Sequence, residues 1–367
     1  MRVSEYLYQK ASAQRIPLNV GMELSPVCNF SCKMCYVRKT EAQIRAEGKT
    51  LIPWDKWLEL ARELKEAGTL YILLTGGEPF LYPNFRKLYE GLHDMGFLIM
   101  INTNGTLIDE GTMQWLKAKS PYRVNLTLYG ASPETYGRIC GNPKGYDRAM
   151  YALHALKEAG IPTVLNASMI PENAEDMEAI VDVGKELGLN THIGNYMFPP
   201  VRREAEETDS RFTPEESAQM YMRKLVKQWG HEECMKRFCH MSKSMEEGNG
   251  EDWGSTQEED HMRCRAGRSS FWIAWDGTMS ACGILGFPKT YQAFDGPILD
   301  KWMELTQLVR EATVMEGCKG CSMRELCHAC VALVNAETGS VNEKAPYLCR
   351  LAECIKEEVR AYLEEHT

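Results

Sequence analysis

No stretch of this 367-residue chain is apolar for long enough to cross a bilayer, and Met1 to Pro17 holds no apolar core of a secretory signal. Nor is there a block of lysine and arginine. With 42 basic against 51 acidic side chains and a net charge of −9, the balance argues against nucleic acid as a partner. Fixed-period repeats and low-complexity tracts are missing as well. These absences predict a cytoplasmic protein with no membrane partner, long enough to bury an ample core. Cysteine is what the chain has in excess, 14 in all. At that density, in a reducing compartment, thiols point to metal rather than to disulfides.

Three of them stand together as Cys28-Asn-Phe-Ser-Cys32-Lys-Met-Cys35, directly after a strand-like apolar run. A four-iron cluster normally takes four cysteines, so three thiolates in one loop leave one iron without a protein ligand. An uncovered iron is where chemistry happens, whereas a fully ligated cluster usually only moves electrons. On a helix the same spacing would place all three thiols on one buried face. Ser25-Pro26 and Asn29 speak against a helix start at this point.

From Leu18 to Gly230 short apolar runs alternate with helix-period stretches. Strands are expected at Leu18–Leu24, Leu70–Leu74, Phe97–Asn102, Arg123–Tyr129, Pro162–Met169 and Thr191–Tyr196. Helices are expected at Trp54–Ala67, Phe85–Met95, Thr112–Ala118, Asp147–Ala159 and Ala174–Leu187, with a last one over Thr213–Gly230. Six βα units in series predict an α/β fold with a parallel sheet, a partial (β/α)6 TIM-type barrel, and chemistry at the C-terminal strand ends. The cysteine loop follows the first strand and falls at that end. The expected division is an N-terminal extension over 1–17, the barrel over 18–230, a bridging segment over 231–263 and a small cysteine-rich domain over 264–367. Within the bridge, Glu246–Asp260 reads as a surface loop. In the last part, Ser270–Trp275 and Thr278–Cys282 flank Asp276-Gly277, a two-residue hairpin turn by its composition.

The cysteine triplet, the aromatic Tyr36 after it and Gly76-Gly77-Glu78-Pro79 after the second strand resemble the radical S-adenosylmethionine (SAM) enzymes. In that family the open iron is chelated by the methionine part of SAM. The reduced cluster cleaves the sulfonium, and a 5′-deoxyadenosyl radical abstracts a substrate hydrogen. The resemblance implies that Gly76, Gly77, Glu78, Pro79 and Tyr36 contact SAM, and that Thr103, Asn104, Thr127, Arg138 and Asn166 are further contacts at the strand ends. Arg138 would pair with the SAM carboxylate. It also implies an external electron donor such as a flavodoxin or ferredoxin.

The remaining cysteines, Cys264-x12-Gly277-x4-Cys282, Cys318-x2-Cys321-x5-Cys327-x2-Cys330 and Cys349, look like the SPASM extension of this family, which carries two auxiliary 4Fe–4S clusters. The total implied is three clusters. Carried over, Cys264, Cys282 and Cys330 bind the first auxiliary cluster, and Cys318, Cys321, Cys327 and Cys349 the second. The family's usual spacing before the sixth cysteine is three residues, whereas only His328-Ala329 separate Cys327 from Cys330. The first auxiliary cluster is left one ligand short, a place open to Cys234, Cys239, Cys354, a histidine or the substrate. Zinc is the competing reading of paired Cys-x2-Cys elements. Cys140 is expected to pack in the interior.

Members with this extension mostly modify peptides or proteins, so the resemblance implies an oxidative maturase that cross-links a ribosomal peptide, by a thioether or otherwise. About 17 residues precede the first strand, so any peptide-recognition domain is expected as a separate protein. Alternatives are anaerobic sulfatase-type oxidation of Ser or Cys, a small-molecule dehydrogenase or epimerase, and a redox-only protein. The sulfatase type usually has an Asp directly after the hairpin cysteine, where Gly283 stands here. No catalytic base can be nominated among so many scattered carboxylates.

Overall fold

Each apolar run of the first half becomes a strand. The structure, a computed structural model, describes residues 3–202, 210–247, 262, 264–319, 321–323, 326, 327 and 329–366. The chain runs α1 (Val3–Gln14), β1 (Asn19–Glu23), α2 (Glu41–Ala46), α3 (Trp54–Glu66), β2 (Tyr71–Thr75), α4 (Phe85–Asp94), β3 (Leu98–Thr103) and α5 (Glu110–Ala118). It continues with β4 (Arg123–Thr127), α6 (Pro133–Cys140), α7 (Gly145–Glu158), β5 (Thr163–Ser168), α8 (Met177–Glu186) and β6 (Asn190–Gly194). β1 to β6 pair in parallel, each with the next. Alternation sorts the two faces. Val20, Met22, Ile72, Leu74, Val124, Leu126 and Leu165 are fully buried against the helices. On the other face stand half-buried polar groups such as Asn125, which donates from Nδ2 to Asn102 Oδ1 (2.7 Å). At the strand beginnings the same face is apolar, where Tyr71, Leu98 and Met100 cluster with Leu7, Tyr8 and Ala11 of α1.

The second half comprises α9 (Pro214–Trp229), α10 (His231–Glu247), β7 (Ser270–Ile273), β8 (Thr278–Ser280), β9 (Tyr291–Gln292), α11 (Ile298–Glu311), α12 (Val331–Thr338) and α13 (Pro346–Glu365). It is not a bead on a string. β7 pairs in parallel with β1, from Asn19↔Ser270 to Met22↔Ile273, and β8 and β9 follow antiparallel. The sheet order is β6-β5-β4-β3-β2-β1-β7-β8-β9. The hairpin turn is wider than the two residues expected. The Ala274 carbonyl accepts from Gly277 N–H (2.9 Å) and the Thr278 carbonyl from Ala274 N–H (2.8 Å), so Ala274–Gly277 form the loop. Gly277 takes φ +84°, which disfavours any side chain.

Three helices form a separate packing layer, in which Ala218, Met222 and Leu225 of α9 meet Cys234 and Phe238 of α10 and Leu351, Ile355 and Val359 of α13. The expected bridge therefore begins as helix α10; its continuation over 248–260 lies outside the described residues. α12 is tied to the barrel exit through Glu337, nearly fully buried, which accepts from Arg211 Nη1 (2.7 Å) and the Tyr196 hydroxyl (2.6 Å). α1 covers the strand beginnings, with Tyr8 stacked on Tyr71 at 5.7 Å and Ser12 hydrogen-bonded to Ser269 (2.9 Å). Among the described residues no helix is long and apolar enough to cross a membrane.

Candidate active site

The cysteine loop leaves β1 and is zipped to the Gly76–Glu78 loop by backbone bonds. Gly77 N–H donates to the Ser25 carbonyl (2.7 Å) and Glu78 N–H to the Val27 carbonyl (3.0 Å). That contact explains both glycines. A Cβ on Gly76 would stand 2.3 Å from Ser25 O, and one on Gly77 2.4 Å from Val27 O. What crowds them here is backbone. On its far side the loop is fastened to the end of α6, with Ser31 N–H on the Cys140 carbonyl (2.9 Å) and Lys33 N–H on the Ile139 carbonyl (3.2 Å).

Glu78 is fully buried and joins the ends of β2 and β3. Its carboxylate accepts from Thr103 Oγ1 (2.8 and 3.0 Å), Asn104 N–H (2.9 Å) and Phe80 N–H (3.2 Å), the last at the turn that Pro79 opens. Burial pushes its carboxyl up to about 7 against the pull of these donors. Asn104 in turn donates from Nδ2 to Asn29 Oδ1 (2.9 Å) and reaches Cys28 Sγ at 3.7 Å. Glu78, Thr103 and Asn104, named as ligand contacts, thus form one network that supports the cysteine loop.

The other expected contacts ring the same mouth. Thr127 and Asn166 are register partners on β4 and β5, both half-buried. Arg138 does not point a free fork at the site, because Nε and Nη2 both donate to the Glu172 carbonyl (3.0 and 2.8 Å). Tyr36 packs edge-on against Phe198 at 5.1 Å beneath the Arg202 guanidinium at 5.4 Å. Burial pushes its hydroxyl up to about 12.

None of the three loop thiols is in a disulfide. Burial pushes the Cys28 thiol up to about 12, so a thiolate forms there only with a cation to bind it. Backbone N–H groups already face two sulfurs, Phe30 on Cys28 (3.4 Å) and Arg38 on Cys35 (3.3 Å). These donors suit thiolates under a cluster, and the set fits one.

The later cysteines fall into two groups. Burial pushes the Cys282 thiol up, with Cys264 and Cys330 adding to it. Burial does the same at Cys349, with Cys318 and Cys321 adding, and at Cys327, with Cys349, Cys318 and Cys321 adding. Among the described residues no three His, Cys, Asp or Glu side chains converge as they would on a single ion. Of the other thiols, Cys234 and Cys354 are buried in the α9–α10–α13 layer, Cys239 is exposed and Cys140 is buried.

Beside Tyr36, which follows the loop, lies an open cavity of about 710 Å3, lined also by Gly21, Cys264, Trp272, Cys282 and Gly283 among others. The Tyr36 oxygen is within electrostatic reach of both Cys35 and Cys282. Glu23, at the end of β1, has no solvent exposure and lies behind Trp272, which lines the cavity. It accepts a two-pronged bond from Arg202 (2.6 and 3.3 Å) and a longer one from Trp272 Nε1 (3.4 Å). Burial pushes its carboxyl up while Arg202 pulls it back. The Trp272 indole lies against two residues without side chains, since a Cβ on Gly21 would come within 2.3 Å of it and one on Gly283 within 2.9 Å. Sequence reasoning missed Glu23 and Trp272. The one available signal was an acidic residue at an inward position of an otherwise apolar strand.

Residues 22–183 match the model of the Radical SAM superfamily. The chain carries a radical SAM domain. SAM and an iron–sulfur cluster are the cofactors of such a domain, and Cys28, Cys32 and Cys35 lie within the matched residues. The AdoMet-dependent heme synthase of Methanosarcina barkeri is 23% identical over 339 residues, 90% of this chain and 96% of that protein. The PqqA peptide cyclase of Ruegeria pomeroyi is 28% identical over 182 residues, 49% of this chain and 47% of that one. The chain thus spans about half the length of that cyclase and nearly all of the synthase. Among solved structures, anSMEcpe with bound AdoMet superposes with a TM-score of 0.68 at 18% identity, covering 95% of this chain and 99% of that one. Streptococcus suis SuiB bound to S-adenosylmethionine gives 0.65 at 19%, covering 94% and 79%. These two likenesses establish the fold, a radical SAM partial barrel continued by a cysteine-rich C-terminal region.

Proposed function

We propose that the protein is a radical SAM oxidoreductase that oxidatively modifies a peptide or protein, with three iron–sulfur clusters. Cys28, Cys32 and Cys35 hold the SAM-binding cluster. Cys264, Cys282 and Cys330 hold the first auxiliary cluster, and Cys318, Cys321, Cys327 and Cys349 the second. The observation that carries this reading is the cavity flanked by Tyr36 on the radical side and Cys282 on the other. When bound, the clusters supply the electron that opens SAM and an acceptor for the second electron of a net oxidation. The chain's own residues do the rest. The Glu78–Thr103–Asn104 network braces the cysteine loop, Tyr36 and Trp272 line the chamber, and Arg202 and Trp272 hold the buried Glu23.

A peptide substrate is supported by the PqqA peptide cyclase relatives and by SuiB, solved with its precursor peptide SuiA. A separate recognition protein and a flavodoxin- or ferredoxin-like donor would complete the system. Sulfatase-type chemistry is disfavoured, because Gly283 lies flat on Trp272 with no room for a carboxylate side chain. One observation favours a second reading, since the heme synthase likeness runs almost end to end. A small molecule of heme type is therefore the rival substrate.

Anaerobically reconstituted protein with SAM and dithionite should release 5′-deoxyadenosine. Cys32→Ala should abolish that release while leaving auxiliary iron in place. No release with all clusters loaded would sink the enzyme. Offering an iron porphyrin or a short cysteine-containing peptide then separates the substrate classes, because coupled release rises only with the right one.

A further inference from the structure

The cavity beside Tyr36 holds a charged group that the proposed chemistry does not use. Among the described residues that line it there is no carboxylate, lysine or histidine, and Arg265 is the one guanidinium. The backbone fixes where Arg265 stands. Its carbonyl accepts from the N–H groups of Arg268 (3.0 Å), Ser269 (2.9 Å) and Ser270 (3.0 Å), so residues 265–270 close a tight turn into β7. Gly267 takes φ +67° in that turn, and a Cβ there would come within 2.5 Å of Val309 Cγ2. The side chain is oriented by stacking. Its guanidinium carbon lies 3.4 Å from the centre of the Tyr8 ring, and Tyr8 stacks in turn on Tyr71 at 5.7 Å with 13° between the planes. Stacking on a ring holds a guanidinium by its face and leaves its N–H edge for another partner. Among the described residues no acceptor takes the Arg265 N–H groups. Asn19 lines the same cavity from β1. Its backbone N–H donates to the Ser269 carbonyl (3.1 Å), which sets it beside the turn, and its side-chain oxygen is closed off from solvent with no partner among the described residues. By a half-turn about its last bond an amide presents its NH2 instead.

We propose that Arg265, with Asn19 as a second donor, anchors a carboxylate of the substrate in this cavity. The proposal rests on the oxidative-modification reading and narrows its substrate to molecules that carry an acid group. A guanidinium meets a carboxylate with two parallel charge-assisted bonds, which fix direction as well as position. In a cavity with few polar groups, one such contact sets the orientation of the whole ligand. The Trp272 indole, packed on Gly21 and Gly283, offers the body of the molecule an apolar surface in the same space. The carboxylate can come from two sources, an acidic residue of a peptide or an acid side arm of a flat small molecule, and the chemistry at the anchor is the same for both.

Full-length protein is reconstituted anaerobically and first checked, with SAM and dithionite, for release of 5′-deoxyadenosine. No release ends the underlying reading. In protein that passes, dissociation constants are measured with SAM but without reductant for two matched pairs. One is iron protoporphyrin against its dimethyl ester; the other is an end-blocked cysteine-containing peptide with one glutamate against its glutamine twin. In at least one pair the acid should bind about tenfold more tightly than its neutral twin, and that pair names the source of the carboxylate. Arg265→Gln at native iron content should erase the preference. Arg123→Ala is the control, because that guanidinium stands at the start of β4, with Nη2 on Met100 Sδ (3.4 Å), and does not line the cavity. It should keep the preference. No preference in either pair, a preference that survives Arg265→Gln, or an equal loss in Arg123→Ala overturns the proposal. Should Arg265→Gln fail to hold iron, Arg265→Lys decides, since it keeps the charge and loses the planar fork: a reduced preference supports the anchor, and an unchanged one overturns it.

Discussion

At the residue scale, Glu78 couples protonation to folding. Burial places its folded pKa near 7, above the ordinary value of 4.5. Between those values the folded chain keeps a proton that the unfolded chain has shed, so this group's contribution to stability falls as pH rises from about 4.5 to about 7 and then levels off. In the metal-free protein the drop in urea-unfolding free energy from pH 5 to pH 8 should be larger for native protein than for Glu78→Gln, by on the order of 3 kcal/mol. An equal drop in both would mean that the Thr103 and Asn104 donors hold the carboxylate ionised after all. Glu78 was legible from its four-residue motif. Glu23 was not, although it is just as buried, because a single acidic letter in a strand carries no motif. Its importance comes from Arg202 and Trp272, 179 and 249 residues away.

The six strands and the helices expected in the barrel were legible to within about three residues, as β2 (Tyr71–Thr75) and α3 (Trp54–Glu66) illustrate, whereas the short α6 (Pro133–Cys140) was not expected. Their burial follows from local periodicity alone. Elements whose apolar residues are sparse were missed: α1 buries only Ala11, and α10 mixes charges on every turn around Cys234 and Phe238. Each is shaped by the surface it packs on. The same holds for α12, whose link to the barrel exit is ionic. Glu337→Ala should remove the partner of a buried guanidinium and cost about 2–3 kcal/mol, below the full cost of breaking a fully buried pair because Arg211 keeps some solvent contact. A double-mutant cycle with Arg211→Ala, read by urea midpoints, should recover most of that energy as coupling. Strict additivity would contradict it.

For the whole molecule, the two halves share one sheet and one helical layer, so neither is complete alone. A chain ending at residue 230 would lack β7 on the outer edge of β1 and α13 on α9, uncovering Met222 and Leu225. We expect it to keep helical far-ultraviolet circular dichroism but lose the cooperative thermal transition of the full chain. A sharp transition at the native midpoint would show the barrel to be autonomous. The order of βα units could be read from sequence because each connection is local. The seam between β1 and β7 could not, since nothing in either segment names its partner.

That seam also governs how the chain is born. The first strand leaves the ribosome early, but its outer neighbour emerges only after some 250 further residues. Throughout that interval β1 presents a raw row of amides and carbonyls, the kind of edge that invites pairing with another nascent chain. Because so distant a partner must be captured late, the final step of maturation is expected to be slow and concentration-sensitive, and the yield of native protein to depend on whatever shields that edge meanwhile.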